Sequence, residues 1–109
     1  GMMFRVKIHK NSFYFNLQDL LNPGNMNIKE WIQNGGIPDL CTYVESKNEN
    51  YLYQNDFVKF YYKGADVICK IIFHEGMFCL QWPDKYINQF RLHEKKYEVV
   101  DEPIQKNKK

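Results

Sequence analysis

Few residues in this chain are spaced for chemistry. The three histidines, His9, His74 and His93, lie far apart. His74-Glu75 runs straight into Gly76 and lacks the second histidine of a zinc-binding H-E-x-x-H helix. Cys41, Cys69 and Cys79 are an odd set without metal-ligand spacing. Cys69 and Cys79 fall in strand patterns, which reads as buried free thiols. A thiol nucleophile needs a base held beside it, and no spacing here sets a histidine beside Cys41. Asp56 follows Gln54-Asn55 and directly precedes a strand, where a carboxylate accepts a local backbone N–H at a turn. No second acid is fixed at a separation useful for acid–base work. Gly35-Gly36 ends a helix rather than opening one, the wrong context for a phosphate cradle. These patterns predict no catalytic residue, no cofactor and no metal, and so a protein that is not an enzyme.

The residues best suited to binding are aromatic and basic. Lys59 and Tyr61 project together from one strand pattern, Lys70 stands on its neighbour, and Lys63 lies in the turn between them. Tyr51 and Tyr53 precede them closely. Rings and cations on a sheet face can stack bases and meet phosphates, or hold a protein segment. Charge favours the protein. The formal net charge is +2, but residues 95–109 carry five lysines against three acids, so residues 1–94 are neutral. Nucleic-acid binders concentrate positive charge on a folded face. The expectation is a non-enzymatic module that binds a protein partner or a second copy of itself. The alternative is a weak single-stranded nucleic-acid binder. A continuous positive face holding Lys59, Lys63 and Lys70 would favour nucleic acid, and a dry aromatic patch would favour protein.

The elements that must position these residues are mostly strands. With 109 residues, 44% of them hydrophobic, the chain reads as one domain with a real core. No apolar run approaches the roughly 18–20 residues of a membrane span, and the alternating start is no signal peptide; the expected compartment is the cytoplasm. Gly1 before Met2 reads as a tag-cleavage remnant. Phe4, Val6 and Ile8 alternate with Arg5, Lys7 and His9 as in a half-buried strand. Phe13 to Phe15 reads as its return, and Gln18 to Leu21 as one helical turn. A short helix is expected near 28–34, capped by Asn27 with Glu30 three residues on, anchored by Trp31 and ended by Gly35-Gly36. Ile37 to Val44 is ambiguous between loop and strand.

The stretch from Gln54 to Trp82 reads as three strands joined by two glycine-bearing turns, Lys63-Gly64 and His74-Glu75-Gly76. Val58, Phe60, Ile71, Phe78, Leu80 and Trp82 supply an apolar face, with Phe78 and Trp82 as structural residues. Pro83 stops the third strand, and Tyr97 to Val100 reads as a closing strand. A sheet this small buries such a face by curling into a barrel or by accepting a helix. The predicted fold is mainly β (α+β): an SH3-like antiparallel barrel over 51–102, an N-terminal strand and short-helix elaboration over 1–50, and a disordered tail over 103–109. The first strand could add a fifth member to the barrel, and any uncovered edge could pair two copies.

Tyr53-Gln54-Asn55-Asp56-Phe57-Val58 resembles a motif of the YopX family, small proteins encoded mainly in phages and prophages. That motif is a tyrosine, a variable pair, an aspartate and an alternating strand. Gly76-Met77-Phe78-Cys79-Leu80-Gln81-Trp82 is similar to the family's glycine–aromatic–tryptophan segment, and Tyr97 to Pro103 to its closing strand. The family often carries Glu-Gly before the aspartate, where this chain has Gln54-Asn55. The resemblance covers about half the chain. It implies an SH3-like barrel portion and a phage or mobile-element setting, and it supplies no catalytic residues.

Overall fold

The computed structural model describes residues 2–22, 24–89 and 91–104. Residues 105–109 of the expected tail lie outside the described residues. In chain order the elements are β1 (Met3–Ile8), β2 (Asn11–Asn16), α1 (Leu17–Leu21), α2 (Met26–Gln33), β3 (Asp39–Glu45), β4 (Tyr51–Tyr53), β5 (Phe57–Tyr62), β6 (Ala65–His74), β7 (Met77–Gln81), β8 (Ile87–Asn88) and β9 (Glu98–Val100). The strands form two antiparallel sheets, ordered β2-β1-β3-β4 and β8-β7-β6-β5-β9.

Neither sheet closes on itself. In the second sheet the end strands are β8 and β9, only two and three residues long and four positions apart in the strand order. The expected SH3-like barrel over 51–102 is therefore corrected: the fold is mixed α/β, with two open sheets and two short helices. The expected fifth barrel strand is corrected with it, since β1 pairs with β2 and β3 in the other sheet. The reason lies in what covers the apolar face. Val58 sits opposite Cys69 and Ile71 opposite Leu80, so these side chains share one side of the sheet. Leu52 from β4, with Leu92 and Tyr97 from the return segment, joins them and Phe60 in one buried cluster. Each large apolar side chain buried there contributes about 1.5–3 kcal/mol. A face already covered in this way gains nothing from curling.

Local chemistry explains the turns. Lys63-Gly64 and Glu75-Gly76 both carry positive φ at two successive positions, the pattern of a two-residue hairpin turn matched to strand twist. The second helix starts earlier than the sequence suggests: Asn25, not Asn27, is its cap, and its side chain accepts from the amides of Asn27 and Ile28 at 2.9 and 3.4 Å. Ile28 is fully buried, while Trp31 and Ile32 are half-buried. Gly36 lies directly under the Trp31 ring; a Cβ there would fall 2.3 Å from it. Trp31 therefore anchors the helix on its own C-terminal turn. The ambiguous stretch resolves as β3, broken by a register shift between Cys41 and Glu45 with Tyr43 at φ 60°.

Candidate functional site

Arg5 is the most constrained charge among the described residues. Its neighbours Phe4 and Val6 are buried, and Arg5 itself is only 5% exposed. The expected half-buried strand is thus covered on both faces at its centre. Arg5 Nε and Nη2 donate to Asp39 Oδ2 at 3.1 and 2.8 Å, and Nη2 also donates to the Gln54 carbonyl at 3.1 Å. Nη1 makes a short charged bond to Asp56 Oδ1. The other carboxylate oxygen of Asp56 accepts the Tyr53 amide at 2.7 Å, and Asn55 Nδ2 donates to Asp39 Oδ1 at 2.8 Å. The guanidinium also lies 5.1 Å from the centre of the Tyr53 ring. Burial works against the charge of Arg5, but Asp56 and Asp39 outweigh it, and its pKa rises above the ordinary arginine value.

This cluster joins the two sheets. The 53–56 turn follows β4 of the first sheet, and its backbone pairs with β6 of the second: Asn55 donates to the Ile71 carbonyl at 2.7 Å, and the Ile71 amide donates to the Asp56 carbonyl at 2.9 Å. Arg5 reaches that turn from β1, and Asp39 reaches it from the start of β3. Every carboxylate oxygen in the cluster accepts a hydrogen bond from within it. Such a group holds geometry; it does not present a free base or nucleophile.

The sequence candidates separate into three places. Tyr53 is buried against Tyr14, ring centres 5.4 Å apart, and burial beside Cys41 raises its hydroxyl pKa. Tyr51 is half-exposed and meets the Tyr43 ring at 5.5 Å. Lys59, Tyr61 and Lys70 do share one face, the outer side of the second sheet. Lys63 stands in the hairpin turn with its ammonium 5.2 Å from the Tyr62 ring centre. Of the residues assigned structural roles, Asp56 is the carboxylate of the ion cluster. Trp31 lies on Gly36, and Phe78 pairs with Phe73 at 5.1 Å. Trp82 meets Phe60 and Tyr62 edge-on at 5.9 and 5.5 Å. The cysteines are buried and free; Cys69 faces the core and Cys79, paired with Ile72, faces the other side, so the strand register keeps them from bridging.

The outer face is neither uniformly basic nor dry. Lys59 faces Ile68 and Glu98, Phe57 faces Lys70 and Val100, and Tyr61 faces Asp66. Lys70 lies 5.9 Å from the Phe57 ring centre. A trough of about 670 Å³ crosses this face, with Phe57 and Ile68 in its lining, Trp82, Pro83 and Pro103 along it, and Lys70, Lys85, Asp66 and Glu102 at hand. A second cleft of about 680 Å³ shares Phe57, Lys70 and Glu102 with it and continues to the Arg5 cluster.

Sequence reasoning missed Arg5 and Asp39. A basic residue in an alternating strand reads as solvent-facing, and its two counter-charges lie 34 and 51 residues away with no local trace. The one available signal was Asp56 at its turn. Among the described residues no helix is long and apolar enough to cross a membrane, and no three His, Cys, Asp or Glu side chains are placed to hold a metal ion. No family model matches the chain, and no curated protein or solved structure shows significant similarity to it.

Proposed function

We propose that this chain is a non-enzymatic docking module that binds a segment of a protein partner across the outer face of the five-stranded sheet. The observation that carries this is the trough over Phe57 and Ile68. It offers apolar and proline-lined surface between charges of both signs, the character of a small protein interface rather than of a phosphate track. Lys70 lines it, and Lys59 and Tyr61 stand across the strand pair from its lining residues Ile68 and Asp66 as further recognition side chains. The charged groups that converge most closely, Arg5, Asp39 and Asp56, line the neighbouring cleft and are engaged with one another. Its YopX-like motifs, Tyr53–Val58 and Gly76–Trp82, add a phage or prophage setting to the reading.

Weak binding of single-stranded nucleic acid is the lesser reading. Lys59 and Lys70 share their face with Asp66 and Glu98, and Lys63 leans onto Tyr62 at the turn. Affinity capture from a lysate of the native host tests the choice, using the wild-type chain and Ile68→Glu with and without nuclease. A protein captured by the wild type, retained after nuclease and lost with Ile68→Glu, is the expected result. A correctly folded Ile68→Glu that keeps every partner, or loss of all partners on nuclease treatment, overturns it. Thermal melting of the variant separates lost docking from lost folding.

A further inference from the structure

We infer that the open edge of β2 pairs with the β2 edge of a second copy, making a two-fold symmetric dimer with one continuous eight-stranded sheet. β2 ends the order β2-β1-β3-β4 and pairs on one side alone. Its sequence, Asn11-Ser-Phe-Tyr-Phe-Asn16, has none of the devices that protect an edge: no proline, no lysine, no bulge, and six residues where protected edges are short. The other three end strands hold two or three residues each.

The register follows from the hairpin. The two-residue turn His9-Lys10 makes Ile8 and Asn11 the closing hydrogen-bonded pair. Alternation then aims the backbone groups of Asn11, Phe13 and Phe15 at β1 and those of Ser12, Tyr14 and Asn16 outward. An antiparallel partner centred on Tyr14 sets Tyr14 against Tyr14 and Ser12 against Asn16, closing about four backbone hydrogen bonds, since the Asn16 carbonyl caps α1. On the opposite face it sets Phe13 against Phe15 twice, and facing aromatic pairs stabilise a sheet. Tyr14 is 55% exposed, so the dyad position is open to a partner.

The ends agree with a second copy in particular. The chain leaves β2 into α1, whose first turn carries Asp19. In the paired arrangement the basic His9-Lys10 turn of one copy arrives at that acidic turn of the other. α1 follows β2 directly and approaches both β2 and β1. Leu17 and Leu21, exposed in one copy, come to the seam between the two. One edge thus supplies both halves of a matched surface, as an isologous contact requires.

Sedimentation or light scattering of the purified chain tests this at protein concentrations up to about 100 µM. The expected mass is twice the 13.2 kDa of the monomer. Ser12→Pro removes an outward N–H that the monomer does not use, and Tyr14→Lys brings two cations together at the dyad; each should return the mass to that of the monomer. Circular dichroism should stay native in Ser12→Pro, and thermal melting checks the fold of Tyr14→Lys, because Tyr14 packs on Tyr53. Amide exchange at Ser12, Tyr14 and Asn16 should slow with rising concentration in the wild type and not in the variants. A wild type that remains monomeric throughout, or a dimer that survives both substitutions, overturns the inference. So does a dimer whose exchange protection falls on β4, β8 or β9 instead.

Discussion

Replacing Arg5 by methionine keeps the length of the side chain and removes the guanidinium that bonds Asp39 and Asp56. Two carboxylates then remain in a site where Arg5 was 5% exposed and Asp56 is 4% exposed. Breaking a buried pair by removing one partner costs about 3–5 kcal/mol. Against a total stability of about 5–15 kcal/mol, that is a large share. At about 4–8 °C per kcal/mol for a chain near this size, the melting temperature should fall by roughly 12–40 °C. Asp56→Asn is the companion. Its amide oxygen can still accept the Tyr53 N–H now held at 2.7 Å, but the charge is gone, and the loss of a charged hydrogen bond costs about 1.5–3 kcal/mol. In the double variant the two losses should overlap, with a coupling of about 1–3 kcal/mol. Urea unfolding followed by circular dichroism, with amide exchange at Asn55 and Ile71, measures all four corners of the cycle. The reasoning is refuted if Arg5→Met costs less than about 1 kcal/mol, or if the single losses add to within about 0.5 kcal/mol.

Gly36→Ala should destabilise by about 1–3 kcal/mol, because the added methyl falls 2.3 Å from the Trp31 ring and must displace it; a shift in tryptophan emission together with a lower melting temperature checks this, and an unchanged spectrum contradicts it. Burial pushes the Cys69 thiol up to about 12 and raises the thiols of Cys41 and Cys79 as well. With folded values above an unfolded value of about 8.5, stability is full below that pH and falls as pH climbs toward 12. Melting temperature against pH should show that decline, flatter in Cys69→Ala, and thiol reagents at pH 8 should label the native chain far more slowly than the unfolded one.

The strands from Phe57 to Gln81 were legible because their apolar faces alternate and their turns carry the residues that two-residue hairpins demand. Closure was not legible. Whether a sheet curls depends on what covers it, and Leu52 and Leu92 reach the cluster from segments that look like loop or a short, unassigned strand, joined by Tyr97 from the edge of the closing strand. The helix start was misplaced by two residues because Asn25 and Asn27 are equivalent in type, and only backbone geometry distinguishes which asparagine caps. Of the binding candidates, Lys59, Tyr61 and Lys70 fell on one face because strand periodicity fixes faces within a hairpin. Tyr53 was not readable in this way. Its burial depends on Arg5 and Tyr14, brought to it by pairing across the chain.

The separation of 51 positions from Arg5 to Asp56 also sets an order of events during synthesis. The first strand leaves the ribosome with its guanidinium facing water, and its counter-charges are made only later. Until the turn at Tyr53–Asp56 exists, burying that strand would strand a cation in an apolar setting. The buried pairing of β1 with that turn therefore requires the chain to have been made through Asp56. Substitutions at Arg5 or Asp56 should accordingly speed unfolding more than they slow folding.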